Sequence, residues 1–386
     1  MLTIESFAID VPDDALADLR DRIGRTRWPT DLGDGSWRLG ADRTYLENLL
    51  AYWRDEFDWR ARERRLNDYP QFTAVIDGAR QHFVHLRAAA GGTSLPPTPI
   101  LLGHGWPNTF VDLLDLADRL ADPVRFAADP GTRAFDVVLP SLPGYTFSGM
   151  PARPFWRHVP RMWVELMAGL GYERFAAHGT DRGGGVIRWM AVEHPDRLLG
   201  IHLTAPLVGD HGMRPLSDRE RAMVDEEERW DKEDGAYMHM HETRPMTAAY
   251  GLTESPAGLA AWIVEKIREW TDLDPDGDFE RVWSMDRLCT LLTLYWVTGS
   301  IGTSFVSYFE MVQAAASRPW HPTDVPAAFA IFPRDIAPPP REWVERGYTN
   351  IVRWTEMPRG GHFPSVEMVD ELAAEIRAVD WSVAGR

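Results

Sequence analysis

Five residues, Gly179-Thr180-Asp181-Arg182-Gly183, constrain this chain more than any other feature. An apolar strand pattern, Phe175-Ala176-Ala177, leads into them, and a helical pattern through Val186, Ile187, Trp189, Met190 and Ala191 follows. A strand, a tight turn with small residues on either side of a reactive one, and a helix together form the layout of a nucleophile elbow. Glycine at 179 and 183 lets the backbone turn sharply and lets strand and helix approach closely. The side chain of Asp181 is then pushed out over the C-terminal edge of a sheet. A serine at this point could be acylated, whereas a carboxylate instead attacks an electrophilic sp3 carbon and forms an alkyl ester. The competing reading of Asp181 is a helix N-cap, a frequent role for aspartate before a helix.

The 386 residues have room for one large domain with insertions or for two to three smaller ones, and 44% hydrophobic content can fill a core. A net charge of −17 and a pI near 5.1 argue against nucleic acid or an anionic membrane as partner. The lone cysteine, Cys289, excludes an internal disulfide framework and a cysteine-based zinc site, and reads as a small core residue. Arginine is abundant and lysine is confined to positions 232 and 266, a bias typical of a GC-rich bacterial genome. The first residues carry no basic or long apolar run, and no window approaches a membrane span. The expectation is a soluble cytoplasmic protein.

Residues 1–95 read as an N-terminal segment. It holds helices over Ala15 to Ile23, with Asp13 or Asp14 as N-cap and Gly24 as stop, and over Tyr45 to Arg60. Strands over Phe72 to Ile76 and His82 to Leu86 flank the hairpin signal Asp77-Gly78, and Gly91 to Thr98 is a linker. From 96 to 205 strand patterns at Ile100-Leu101-Leu102, Phe135 to Leu139, Phe175 to Ala177 and Leu198 to Leu203 alternate with helices. From 206 to 320 the strand rhythm stops and helical patterns take over, including Ala257 to Thr271 and Leu288 to Gly299. Strands return at Ala327 to Phe332 and Ile351 to Trp354 within 321–386, and a last helix covers Ser365 to Val379. The fold class expected is α/β, with a mostly parallel sheet and a helical cap inserted in it.

A carboxylate nucleophile needs a base to activate water, a group to orient that base, and donors for the oxyanion. Among 12 histidines, His362 is the one placed by glycines after a strand, in Arg359-Gly360-Gly361-His362-Phe363. Asp335, just past the preceding strand, is the orienting acid; Asp210, after the strand at 198–203, is its rival. That chain order of nucleophile, acid and histidine is the one α/β-hydrolases use. The oxyanion donors are backbone amides: that of Arg182, after the nucleophile, and that of Trp106 in His104-Gly105-Trp106-Pro107. The Trp106 ring is expected to line the pocket. The plain readings are a turn-capping Asp335 and an ordinary glycine turn at 103–107. Epoxides and alkyl halides are the electrophiles this set would take.

These motifs resemble those of α/β-hydrolase-fold epoxide hydrolases of the microsomal type, over nearly the whole length. The resemblance covers Thr26-Arg27-Trp28-Pro29, Phe57-Asp58-Trp59-Arg60 and Ile76-Asp77-Gly78 in the N-terminal segment, then HGWP at 104–107, PGYTFS at 143–148, the elbow, and RGGHF at 359–363. It implies an N-terminal segment wrapped around core and cap, a triad of Asp181, Asp335 and His362, and two cap tyrosines that bind and protonate the epoxide oxygen. Asp234-Gly235-Ala236-Tyr237 resembles the first tyrosine site and Ser307-Tyr308-Phe309-Glu310 the second, pointing to Tyr237 and Tyr308 as catalytic and substrate-binding residues. Tyr250 and Tyr295 are the alternatives, and all four could be packing tyrosines. Two features depart from the resemblance: Arg182 stands where tryptophan is usual, and the membrane anchor of the animal enzymes is not seen.

The resemblance implies a small-molecule epoxide and water as partners, neither nucleic acid nor membrane, no metal or organic cofactor, and leaves a homodimer open. A haloalkane dehalogenase shares the aspartate nucleophile and the fold, but commonly uses a tryptophan at position 182 for halide. A degenerate hydrolase that only binds a small ligand is the non-enzymatic alternative. Xenobiotic and biosynthetic epoxides fit equally.

Overall fold

The computed structural model describes residues 2–33, 35–89, 96–126, 129, 131–151, 156–207, 216–273, 277–317 and 321–382. Among these residues nine strands form one sheet: β1 (Ile4–Phe7), β2 (Gln71–Ile76), β3 (Ala79–Leu86), β4 (Thr98–Gly103), β5 (Phe135–Pro140), β6 (Phe175–Gly179), β7 (Leu198–Leu203), β8 (Ala327–Ile331) and β9 (Ile351–Glu356). Their order across the sheet is β1-β2-β3-β5-β4-β6-β7-β8-β9. β1, β2, β3 and β5 pair antiparallel; from β5 through β4, β6, β7 and β8 to β9 every pairing is parallel. Every residue of β6 and β8 is buried. Consecutive side chains point to opposite faces, so both faces there are covered; β8 reads as an unbroken apolar run, and β6 as one interrupted by the buried His178.

Local chemistry sets most element ends. β2 and β3 turn through Asp77 and Gly78, both left-handed at φ 56° and 77°, as a two-residue primed hairpin turn requires. Ser217 and Glu220 form a capping box at the start of helix Asp218–Glu233. Pro245 and Pro256 open two further helices. Gly299, left-handed at φ 61°, ends helix Met285–Thr298.

The expected helix over Tyr45 to Arg60 is two helices, Arg43–Asp55 and Trp59–Asn67. Asp58 breaks the run by accepting a hydrogen bond from the Ala61 amide at 3.0 Å, which caps the second helix. Helix Asp13–Gly24 has Pro12 at its cap position, so Asp13 and Asp14 sit inside its first turn and Gly24 inside its last. There the two carboxylates favour the helix dipole without capping it. β1 is an unexpected strand: two partly buried residues, Ile4 and Phe7, around the exposed Glu5 and Ser6 give little periodic signal. Thr98, expected in the linker, begins β4; the rest of that linker from 91 to 95 lies outside the described residues, as does Asp210.

Between β7 and β8 run Asp218–Glu233, Ala236–Thr243, Pro245–Glu254, Pro256–Trp270, Phe279–Val282, Met285–Thr298 and Ile301–Ser317. The N-terminal helices pack on this group as well as leading into the sheet. Trp53 Nε1 donates to Thr293 Oγ1 at 2.8 Å and the Tyr52 hydroxyl to Asp286 at 3.0 Å. The first hundred residues therefore tie the inserted helices to the sheet that holds the elbow. Cys289 is buried among them. Among the described residues no single helix is long and apolar enough to cross a membrane.

Candidate active site

Asp181 follows β6 and Thr180, at φ 47°. A left-handed conformation is strained for a residue with a side chain, and such strain gathers at functional sites. Close approach requires glycine around it. A Cβ on Gly183 would stand 2.3 Å from the Gly103 carbonyl, and one on Gly105 would stand 2.2 Å from Asp181 Oδ1. Asp181 is the first residue inside helix Asp181–Glu193, and Thr180 takes the cap position. The N-cap reading is thereby corrected: the Asp181 carboxylate looks away from its own helix, and its Oδ1 accepts the Trp106 amide at 2.8 Å. The Arg182 amide lies in the same helix's first turn, where backbone donors have no intrahelical acceptor.

His362 comes from the loop after β9. Its Nδ1 meets Asp335 Oδ1 at 2.6 Å, and its Nε2 stands 4.0 Å from Asp181 Oδ2. Asp335 follows β8. Three residues from separate stretches of chain therefore converge. The carboxylate at Nδ1 keeps the proton there and leaves Nε2 turned to Asp181. Burial works against a charge on His362, but the Asp335 charge and hydrogen bond, with Asp181 beyond, raise its pKa from the ordinary 6.5 to about 9.

A cavity of about 380 Å³ opens beside this group, lined by Asp181, Arg182, Trp230, Tyr237, Asp335 and His362 together with apolar side chains. Tyr237 reaches its wall from helix Ala236–Thr243. Trp106 and Tyr308, expected at the same wall, stand behind it. The Trp106 ring is stacked on Tyr237 at 5.2 Å and 10° and is 1% exposed. Tyr308 is fully buried, with its ring perpendicular to that of Tyr237 at 6.1 Å and the Arg182 guanidinium on its face. Flat aromatic packing in the layer above the sheet covers both. Tyr308 nevertheless acts on Tyr237, opposing the rise in its pKa that burial causes. Of the alternatives, Tyr250 is 78% exposed, and Tyr295 is buried with no hydrogen-bond partner for its hydroxyl among the described residues.

Three supporting residues escaped sequence reasoning. His104 Nε2 accepts the Leu142 amide at 3.0 Å, which leaves Nδ1 to donate to the Gly105 carbonyl at 3.1 Å. Burial pushes its pKa down to about 4, so it stays a neutral brace for the Trp106 amide. Glu367 accepts the amides of Asp272, Gly361 and Phe363 at 2.8 to 2.9 Å, locking the loop that carries His362. His241 is buried against Phe305, Trp106 and Tyr308 and accepts from Trp262 Nε1 at 3.1 Å. The first two sit inside or just after motifs already quoted, but their partners are remote in sequence. His241 carried no local signal.

Residues 4–113 match the family model described as epoxide hydrolase N terminus, and residues 98–242 match that of the alpha/beta hydrolase fold. Epoxide hydrolase 1 of Oryctolagus cuniculus is 32% identical over 400 residues, covering 97% of this chain and 88% of its own length. The structure of Aspergillus niger epoxide hydrolase is similar at a TM-score of 0.83 with 30% identity, covering 97% of this chain and 95% of its own. Juvenile hormone epoxide hydrolase from the silkworm Bombyx mori is similar at a TM-score of 0.86 with 27% identity, covering 97% and 93%. With that likeness over almost all of its length, the chain belongs to the epoxide hydrolases of the α/β-hydrolase fold.

Proposed function

We propose that this chain hydrolyses an epoxide to a vicinal diol through an alkyl ester on Asp181. The supporting observation is the Asp181 carboxylate itself. One oxygen is held by the Trp106 amide, and the other faces His362 at 4.0 Å, too long for a direct hydrogen bond. That oxygen is unengaged and borders the cavity, as an attacking group must be.

Asp181 Oδ2 attacks a ring carbon, the carbon–oxygen bond breaks, and the oxygen takes a proton from Tyr237, with Tyr308 supporting that phenol from behind. A phenol is neutral at pH 7 and donates more strongly as alkoxide charge develops. Esterification removes the Asp181 charge, one of the influences that keep His362 protonated. The imidazole pKa then falls, and His362 becomes a neutral base. It takes a proton from the water that attacks the ester carbonyl, while the Trp106 and Arg182 amides hold the oxyanion. The proton that the imidazolium releases returns through solvent to the phenolate, and the proton taken from water restores the imidazolium, so one epoxide and one water give one diol. The helices between β7 and β8 act as the cap that brings Tyr237 over the carboxylate. This route needs no metal or organic cofactor.

The test is a single turnover in heavy-oxygen water, with Asp181→Ala as control. The first-turnover diol should carry the unlabelled Asp181 oxygen, and label should appear from the second turnover. Solvent label in the first-turnover diol would reject the ester.

A further inference from the structure

Arg182 is a buried cation with no carboxylate in ion-pair contact among the described residues, although the charges of Asp181 and Glu242 act on it from farther away. It is 7% exposed, Nη1 donates to Met311 Sδ at 2.8 Å, and Nε has no hydrogen-bond partner among the described residues. A charge taken from water without pairing is unfavourable, and proteins keep such departures where function requires them. The guanidinium carbon stands 3.6 Å from the centroid of the Tyr308 ring, well inside the range of a cation on an aromatic face.

The groups facing Tyr308 come from three elements. Asp181 and Arg182 come from the helix after β6, Tyr237 and His241 from helix Ala236–Thr243, and Tyr145 from the loop after β5. Burial pushes the pKa of His241 down to about 2, and burial raises that of Tyr145, so both are neutral. Lys266 stands over the Tyr237 ring at 5.5 Å but is paired with Glu265 at 3.0 Å, and Glu242 adds an opposing charge near Tyr237. Among the described residues, Arg182 is therefore the unpaired cation that the phenol pair meets. Burial drives Tyr308 well above its ordinary pKa, and Arg182 acts in the opposite direction.

The geometry points to Arg182 as a positioning residue for epoxide opening: from the face of the Tyr308 ring it holds positive charge where the Tyr237–Tyr308 pair becomes negative. This rests on the phenols being the proton donors. As the ring carbon–oxygen bond breaks, the oxygen takes the Tyr237 proton. The charge left behind on Tyr237 faces the Tyr308 ring packed against it and is stabilised by the guanidinium on the face of that ring.

The experiment measures single-turnover epoxide loss for the wild type, Arg182→Met, Arg182→Lys, Tyr237→Phe, Tyr308→Phe and the double variant Arg182→Met with Tyr308→Phe. Two epoxides are compared, methyl-substituted and trifluoromethyl-substituted, which differ in the basicity of the alkoxide. Arg182→Met should slow the methyl epoxide roughly 3- to 30-fold and the trifluoromethyl one several-fold less, because a less basic alkoxide needs less help. Arg182→Lys should recover most of the loss, and Arg182→Met should cost little once Tyr308 is Phe. Equal slowing of both epoxides, or an undiminished cost in the Tyr308→Phe background, overturns the inference while leaving the phenol reading intact. Wild-type opening in both tyrosine variants would instead reject the phenol reading and this inference with it. Should the Met variant not purify, Arg182→Gln against Arg182→Lys carries the same comparison.

Discussion

The Asp335 carboxylate meets His362 Nδ1 at 2.6 Å, and both side chains are almost fully buried, 7% and 6% exposed. A charge-assisted bond of that length in a dry setting fixes the imidazole tautomer. Asp335→Asn should therefore leave the fold intact and present the wrong hydrogen-bonding face to the ring. Ester hydrolysis should fall by roughly 10³- to 10⁴-fold, whereas ester formation falls far less. Intact-protein mass spectrometry checks this: the variant mixed with an epoxide should accumulate a species heavier by the mass of the substrate. An unmodified, inactive variant would contradict it.

The same pair links stability to pH. The folded pKa of His362, about 9, lies above the ordinary 6.5, so the protonated ring stabilises the folded state. That contribution is complete below about pH 6.5 and is lost as pH rises through about 9. A shift of this size corresponds to roughly 3 kcal/mol at most. Urea unfolding of wild type and His362→Gln at pH 6 and pH 9.5 should show a gap that narrows at the higher pH. A gap that is constant or widens contradicts the assignment.

Gly105 and Gly183 separate chemistry from folding. A Cβ at 105 collides with the Asp181 carboxylate and with its Cβ, so Gly105→Ala should displace the nucleophile and cost at least about 10²-fold in kcat with a smaller loss of Tm than Gly183→Ala. A Cβ at 183 collides with the Gly103 backbone, which cannot yield as a side chain can. Gly183→Ala should lower Tm sharply or abolish soluble expression. Differential scanning fluorimetry beside steady-state rates distinguishes the two.

Glu367 holds three backbone amides around His362. Removing their acceptor leaves buried donors unsatisfied, at a cost of about 1–3 kcal/mol each. Glu367→Ala should destabilise the protein by several kcal/mol and lower kcat. Glu367→Gln, which keeps one acceptor oxygen, should fall between wild type and Ala. Chemical denaturation gives the order; a Gln variant no better than Ala would show that the carboxylate does not act as the loop's acceptor.

Some of this molecule was written in short stretches of chain. The elbow, the Asp77-Gly78 hairpin and the apolar core strands were legible because each depends on neighbours within a few residues: a glycine permits a turn, and a doubly covered strand is mostly apolar. The chain order of Asp181, Asp335 and His362 was legible for a similar reason, since each residue lies in the turn or loop that follows its own strand. The tertiary structure alone decided what lies in front of what. Trp106 and Tyr308 stand behind Tyr237 rather than beside it, the Arg182 charge lies on the Tyr308 ring, and Glu367 and His104 serve amides that sequence could not pair with them. Those facts depend on which surfaces close over one another when the inserted helices settle on the sheet, and side-chain contact between distant segments leaves no spacing in the sequence to read.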